Sequence, residues 1–141
     1  GITMFRKFIN IKPEALYIID GNRPSADWPA SGKIEFRNFS MSYHKDLPPA
    51  LQNINLTIYP GEKIGIVGRT GAGKSSLVKA LFRLVPDGTT GSILVDGQDI
   101  SQFGVGDLRP RLGIIPQEST MFSGTYKQNL DPLDEFSIEE I

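Results

Sequence analysis

The chain has 141 residues and a net charge of -1, from 15 basic and 16 acidic side chains. That is one ordinary domain's worth of sequence, with no charge excess to hold nucleic acid or an anionic membrane surface. It has no cysteine and a single histidine, His44, which excludes disulfides, thiolate catalysis and cysteine-bound or multi-histidine metal, and argues against a Ser-His-Asp triad.

In chain order, residues 1–32 read as an entry segment. "ALYIID" predicts a short strand and "NRPSADWPASG" is turn-rich. Ile34 and Phe36 alternate, then Phe39, Met41 and Tyr43 alternate in the opposite phase. One strand with a bulge near Arg37–Asn38 explains the slip. "HKDLPPA" is a loop, "NINLTI" a second half-exposed strand and "YPGE" a turn, so an antiparallel sheet is expected here. "KIGIV" (63–67) is a short apolar run ending at a glycine, the pattern of a strand buried on both faces. A helix should follow, with Leu77, Leu81, Leu84 and Val85 on one side, stopping near "PDG". "SILVDGQDI" reads as a hairpin with an Asp-Gly turn. In "DLRPRL", Pro110 removes a backbone N–H and breaks any helix there. "LGIIPQ" predicts a second buried strand, stopped by Pro116. "SIEE" has the spacing of a capping box, so a helix is expected to begin at Ser137 as the sequence ends, which reads as a fragment. No apolar run approaches the roughly 18 residues needed to cross a bilayer.

The most informative stretch is Gly68-Arg69-Thr70-Gly71-Ala72-Gly73-Lys74-Ser75, a full match to G-x-x-x-x-G-K-[ST]. Phosphates must sit within hydrogen-bond reach of several consecutive N–H groups. Only a loop with little side-chain bulk and access to positive φ wraps that closely, hence Gly68, Gly71, Ala72 and Gly73. The following helix points unsatisfied N–H groups at the anion, and its dipole adds the equivalent of about half a positive charge. Lys74 is expected on the β- and γ-phosphates, the Ser75 hydroxyl on Mg²⁺, and the Ser76 hydroxyl near the α-phosphate. A carboxylate at the end of a buried strand normally completes the Mg²⁺ shell. Asp20 and Asp96 mimic that position, but Asp96–Gly97 makes better sense as a turn. No strand after Ser75 ends in an acidic pair, and no N-K-x-D element reads guanine. The residues thus support nucleotide binding strongly and hydrolysis poorly.

Together "DWPASGKIEFRNFSMSY", "GEKIGIVGRTGAGKSSLVKALFRL", "GSILVDGQDIS", "DLRPRLGIIPQE" and "FSGTYKQNLDP" resemble an ATP-binding cassette, the nucleotide-binding domain of ABC transporters. The wording is closest to the second cassette of subfamily C, the multidrug-resistance-associated group, and covers the chain from about residue 13 until it stops after the Q-loop. The resemblance implies an α/β fold: a P-loop core with a mostly parallel sheet, plus an antiparallel β-subdomain from residues 34–60, with the helical subdomain missing. It implies that residues 1–32 are the connection from the transmembrane domain and 33–141 the N-terminal part of the cassette. Tyr43 resembles the aromatic that stacks on adenine. Gln117 resembles the Q-loop glutamine that touches Mg²⁺ and senses the γ-phosphate, although "PQEST" departs from the family's usual Q-D-P-x-x wording. ATP and Mg²⁺ are the implied cofactors. The implied partners are a second nucleotide-binding domain and transmembrane domains, at the cytoplasmic face of a membrane. The family's Walker B carboxylate, catalytic glutamate, signature loop and switch histidine find no counterpart here. The parent is therefore expected to couple ATP hydrolysis to export while this stretch supplies half of a shared site. A short non-catalytic nucleotide-binding or regulatory module, or another P-loop kinase or GTPase, are the alternative readings.

Overall fold

The computed structural model describes residues 6, 9–11, 13–44, 46–84, 88–118 and 120–141. Strands β1 (Ile34–Met41), β2 (Leu51–Ile58), β3 (Thr89–Val95) and β4 (Gln98–Asp99) form one sheet in the order β2-β1-β3-β4. Every neighbouring pair is antiparallel. Helix α1 (Lys74–Leu81) follows the glycine-rich loop, and two short helices, α2 (Val105–Leu108) and α3 (Tyr126–Leu130), lie in the second half.

The phase slip in β1 is a bulge. Pairing with β2 is regular from Ile34↔Ile58 to Phe36↔Leu56, shifts, and resumes at Phe39↔Ile54. Asn38 takes a φ of 47° to allow it, and its N–H donates to Asn55 Oδ1 at 3.0 Å. Across the bulge a Cβ on Gly91 would lie 2.3 Å from the Asn38 carbonyl oxygen and 2.5 Å from that of Arg37, so only glycine fits there. The extra residue turns both Phe36 and Phe39 inward, where they meet edge to face with centroids 5.8 Å apart.

The core joins these rings to Met41, Leu51, Ile93, Val95, Ile100, Phe103 and Leu108. Ala80, with the partly buried Leu77 and Leu81, packs α1 against it. Trp28 belongs to the same core. It is buried, donates Nε1–H to the Val95 carbonyl at 3.1 Å, and meets Phe103 edge to face at 4.9 Å. Part of the segment expected as a connection is thus packed with the sheet.

That segment also touches α2. "ALYIID" forms no strand, and instead the carbonyls of Leu16 and Tyr17 accept from Val105 N–H (3.1 Å) and Gly106 N–H (2.8 Å). The contact is so close that a Cβ on Gly104 would lie 2.3 Å from the Tyr17 carbonyl oxygen. Arg23 grips Asp107 through both Nε and Nη2, and Arg109 joins the Glu14 carboxylate to the carbonyl of Phe82, the residue that caps α1.

At the β3–β4 turn, Asp96 (φ 49°) and Gly97 (φ 78°) both lie in the left-handed region, as a type I′ turn requires. The Asp96 carboxylate accepts from the Ser31 hydroxyl and from the N–H groups of Ser31 (2.8 Å), Gly32 (3.1 Å) and Lys33 (2.8 Å). It is therefore a structural anion rather than a magnesium ligand. The Ser31 hydroxyl, with the three backbone bonds, holds its pKa well below the ordinary 3.8. A depressed folded-state pKa stabilises the fold above the unfolded value, and that contribution fades as pH falls from about 4 towards the folded value. Asp96→Ala is expected to cost about 1–3 kcal/mol in denaturant unfolding at pH 7. Asp96→Asn keeps the left-handed turn and should remove much of the acid sensitivity. An unchanged stability for the alanine variant would show the carboxylate to be idle.

Some expected elements differ. The apolar runs 63–67 and 112–116 carry no regular secondary structure, and Val67 and Ile115 are 94% and 97% exposed. A parallel strand receives its hydrogen bonds from flanking strands. Among the described residues none lies beside these runs, so the sheet present is the antiparallel part of the α/β design. Helix α1 ends at Leu81, and Arg83 (φ 52°) turns the chain away, leaving Leu84 exposed; Val85 lies outside the described residues. Pro110 sits in a 3₁₀ turn, Arg109–Arg111, that ends α2. "SIEE" makes a turn in which Ser137 N–H and Oγ–H both donate to the Glu140 carboxylate at 2.9 Å. The reciprocal capping box is at Thr125 and Gln128, opening α3.

Candidate nucleotide-binding site

The loop from Gly68 to Gly73 is shaped by its own backbone. Ala72 N–H donates to the Arg69 carbonyl at 3.1 Å, closing a turn. Gly71 (φ 82°) and Gly73 (φ 89°) take left-handed conformations that an L side chain resists, whereas Gly68 does not. Gly73 carries a second constraint: a Cβ there would lie 2.4 Å from the Ala50 carbonyl oxygen, where the loop abuts the start of β2. Arg69 and Thr70 are exposed at the loop tip.

Gly73 is also the N-cap of α1. No side chain caps that end and its first turn holds no acidic residue. The free N–H groups and the helix dipole therefore face outward without compensation. Lys74 Nζ donates to the carbonyls of Gly68 (2.6 Å) and Arg69 (2.8 Å), laying its ammonium back on the loop. Backbone donors, helix dipole and ammonium act at one place, which makes a local anion site on a chain of almost zero net charge.

Ser75, in the first turn of α1, is exposed, while Ser76 beside it is only 6% exposed. The Ser76 hydroxyl lies 3.0 Å from the Tyr43 hydroxyl. Tyr43 follows β1 and is 40% exposed, and the Lys79 ammonium stands 5.4 Å from its ring centroid. The structure thus brings Tyr43 to the helix that begins at the loop. Gln117 is different: it is exposed in a bend beyond 112–116, and no hydrogen bond joins it to the loop among the described residues. Lys79 and the Ala50–Leu51 buttress are the parts that sequence reasoning missed, because their place depends on how β1 and β2 meet α1.

A cavity of about 1100 Å³ lies towards the opposite end of α1, lined by Glu14, Leu16, Phe39, Arg83 and Ile100 among others. It is not the anion site. A phosphate cradle grips its ligand with backbone donors from one side and needs no enclosed volume.

The family model described as ABC transporter matches residues 51–140. This chain belongs to the ABC transporter family. Its relatives place it in subfamily C. The vacuolar heme ABC transmembrane exporter abc3 of Schizosaccharomyces pombe is 55% identical over 132 residues, 94% of this chain and 9% of that protein. The metal resistance protein YCF1 of Saccharomyces cerevisiae is 44% identical across the whole chain, again 9% of its length. ATP-binding cassette sub-family C member 2 of Rattus norvegicus is 47% identical, with the same coverage. Among solved structures, a bacterial Atm1-family ABC exporter with ATP bound superposes with a TM-score of 0.76 at 29% identity, over 93% of this chain and 22% of that one. The chain therefore spans about a tenth of the curated relatives it matches. It is part of a subfamily C nucleotide-binding domain with the incomplete α/β cassette architecture. No described helix of the cassette is long and apolar enough to cross a membrane.

Proposed function

We propose that this cassette segment holds Mg-ATP at the loop and supplies one half of an ATP site in a subfamily C exporter. The observation that carries the reading is the Lys74 ammonium lying on the Gly68 and Arg69 carbonyls at an uncapped helix N-terminus. The N–H groups of Gly68, Arg69, Thr70, Gly71 and Gly73 cradle the phosphates, while that of Ala72 holds the loop closed on the Arg69 carbonyl. Lys74 neutralises the β- and γ-phosphates, Ser76 borders the α-phosphate and Tyr43 offers its ring to adenine. Mg²⁺ binds through few protein groups and mostly through phosphate and water. Ser75 would hold the ion through its hydroxyl on the protein side, and Gln117 would be the second protein group offered to it. In the whole transporter, this half-site works with a second nucleotide-binding domain and with transmembrane domains at the cytoplasmic face. ATP hydrolysis there drives export; two of the similar proteins are named as exporters, and one of those is described with ATP bound.

Ser75 provides the test. Titration calorimetry with ATP should show tighter binding in Mg²⁺ than in EDTA. Ser75→Ala should lower affinity in Mg²⁺ by about tenfold, or about 1.4 kcal/mol, and leave the EDTA value in place. Equal affinities for both proteins in Mg²⁺ would remove Ser75 from the metal site.

A further inference from the structure

Tyr43 leaves the end of β1 and lies against one face of α1. That face is defined by Ser76 and Lys79, three residues apart and so neighbours on the helix surface. The Tyr43 hydroxyl meets the buried Ser76 hydroxyl at 3.0 Å, which fixes one end of the ring. The long side chain of a helical residue leans towards the helix N-terminus, and Lys79 places its ammonium 5.4 Å from the ring centroid. A cation at that distance is held by the negative charge of a ring face.

We infer that Lys79 is a positioning residue for the base platform: its ammonium backs Tyr43 from one ring face and leaves the other face for a purine. The inference rests on the reading of Tyr43 as the adenine platform. A tyrosine ring has two side-chain torsions. The Ser76 contact alone leaves it free to swing about its hydroxyl end, whereas the Lys79 contact sets the tilt of the ring. A platform held at the correct tilt before the nucleotide arrives loses less freedom on stacking, so binding is tighter. Lys79 touches no reacting atom in this scheme.

The experiment compares ATP with inorganic tripolyphosphate, which has the phosphates but no base, at 0.15 M salt. Four proteins are titrated: the unsubstituted chain, Lys79→Met, Lys79→Arg and Tyr43→Ala. Lys79→Met keeps the length of the side chain and removes the charge. It should weaken ATP binding about two- to fivefold and leave tripolyphosphate binding in place. Lys79→Arg should restore ATP binding, since a guanidinium also stacks on an aromatic face. A cation acting directly on the phosphates would weaken both ligands equally, and a lysine occupying the base's own face would make Lys79→Met bind ATP more tightly. Either result, or an unchanged ATP affinity in Lys79→Met, overturns the inference. The underlying reading stands or falls separately. Tyr43→Ala should weaken ATP at least about fivefold without weakening tripolyphosphate, and an unchanged ratio would remove Tyr43 from the base site whatever Lys79 does.

Discussion

Lys74→Ala is expected to abolish measurable ATP binding, a loss of at least about a hundredfold or about 2.7 kcal/mol. The ammonium is the one flexible full charge that the loop itself turns inward, held by the carbonyls of Gly68 and Arg69. Those carbonyls are negative dipole ends. In the variant they would face the phosphates without the cation between them, so the site loses an attraction and gains a repulsion. Hydrogen bonds to charged groups contribute about 1.5–3 kcal/mol each, and Lys74 is placed to make more than one. The fold should change little. Lys74 is only partly buried and its two bonds are local to the loop, so thermal unfolding without ligand should stay within about 0.5 kcal/mol of the parent. Lys74→Arg should not rescue, because a planar fork does not fit where a compact ammonium nests between two carbonyls. Calorimetry with ATP, paired with unfolding of the apo protein, separates lost binding from lost folding. Full affinity in the alanine variant would place the nucleotide elsewhere.

The features that were legible in the sequence are those set within a few residues of themselves. The loop could be read because left-handed Gly71 and Gly73, the lysine and the helix start are contiguous. The bulge in β1 showed as a change of phase between Phe36 and Phe39, and the Asp96–Gly97 turn as a dipeptide. The runs 63–67 and 112–116 mark the limit of pattern reading. A continuous apolar run reports that a segment prefers burial on both faces, not that neighbours lie beside it, and Val67 and Ile115 remain exposed. Long-range contacts were invisible for a different reason. Tyr17 against Gly104 and Gly106, Arg23 on Asp107 and Ser31 on Asp96 join positions more than 60 residues apart, with no periodicity to betray them. Lys79 is of this kind, since its meaning depends on Tyr43. The capping box at Thr125 and Gln128 carries the same T-x-x-Q signal in "TYKQ", which the sequence reading passed over. The same spacing in "SIEE" gives only a turn, because a capping box marks a helix start without supplying the packing that sustains it.

The second large effect concerns Trp28, which lies in the segment that the sequence predicts to be a connection. Trp28→Ala is expected to cost about 3–5 kcal/mol, a large share of the stability of a domain this size. The ring is 3% exposed, packs edge to face on Phe103, and satisfies the Val95 carbonyl next to the Asp96 turn. Its removal leaves a cavity and takes one of two hydrogen bonds from the Val95 carbonyl, which also closes the turn to Gln98. The contacts on either side cannot make good the loss. Arg23–Asp107 is an ion pair whose arginine stands in solvent, where water and salt screen it, and the bonds from Ser31, Gly32 and Lys33 to Asp96 depend on the same chain path that Trp28 anchors. Trp28→Phe should recover a good part of the stability but not the bond to Val95, so it should fall between the parent and the alanine variant. Urea unfolding followed by circular dichroism gives the stabilities, because substitution removes the sole tryptophan and with it the tryptophan fluorescence signal. Hydrogen exchange at the amides of Val105 and Gly106 tests the coupling directly. Both donate to the carbonyls of Leu16 and Tyr17, and they should exchange faster in Trp28→Ala if the tryptophan holds this segment against the sheet. A cost below about 1 kcal/mol with unchanged exchange would mean that residues up to 32 behave as a tether after all. A cost in the expected range makes the segment structural from at least Trp28 onward, so that a pull on it is felt at the sheet and, through Arg109 between Glu14 and the Phe82 carbonyl, at the far end of the helix that begins at the phosphate loop.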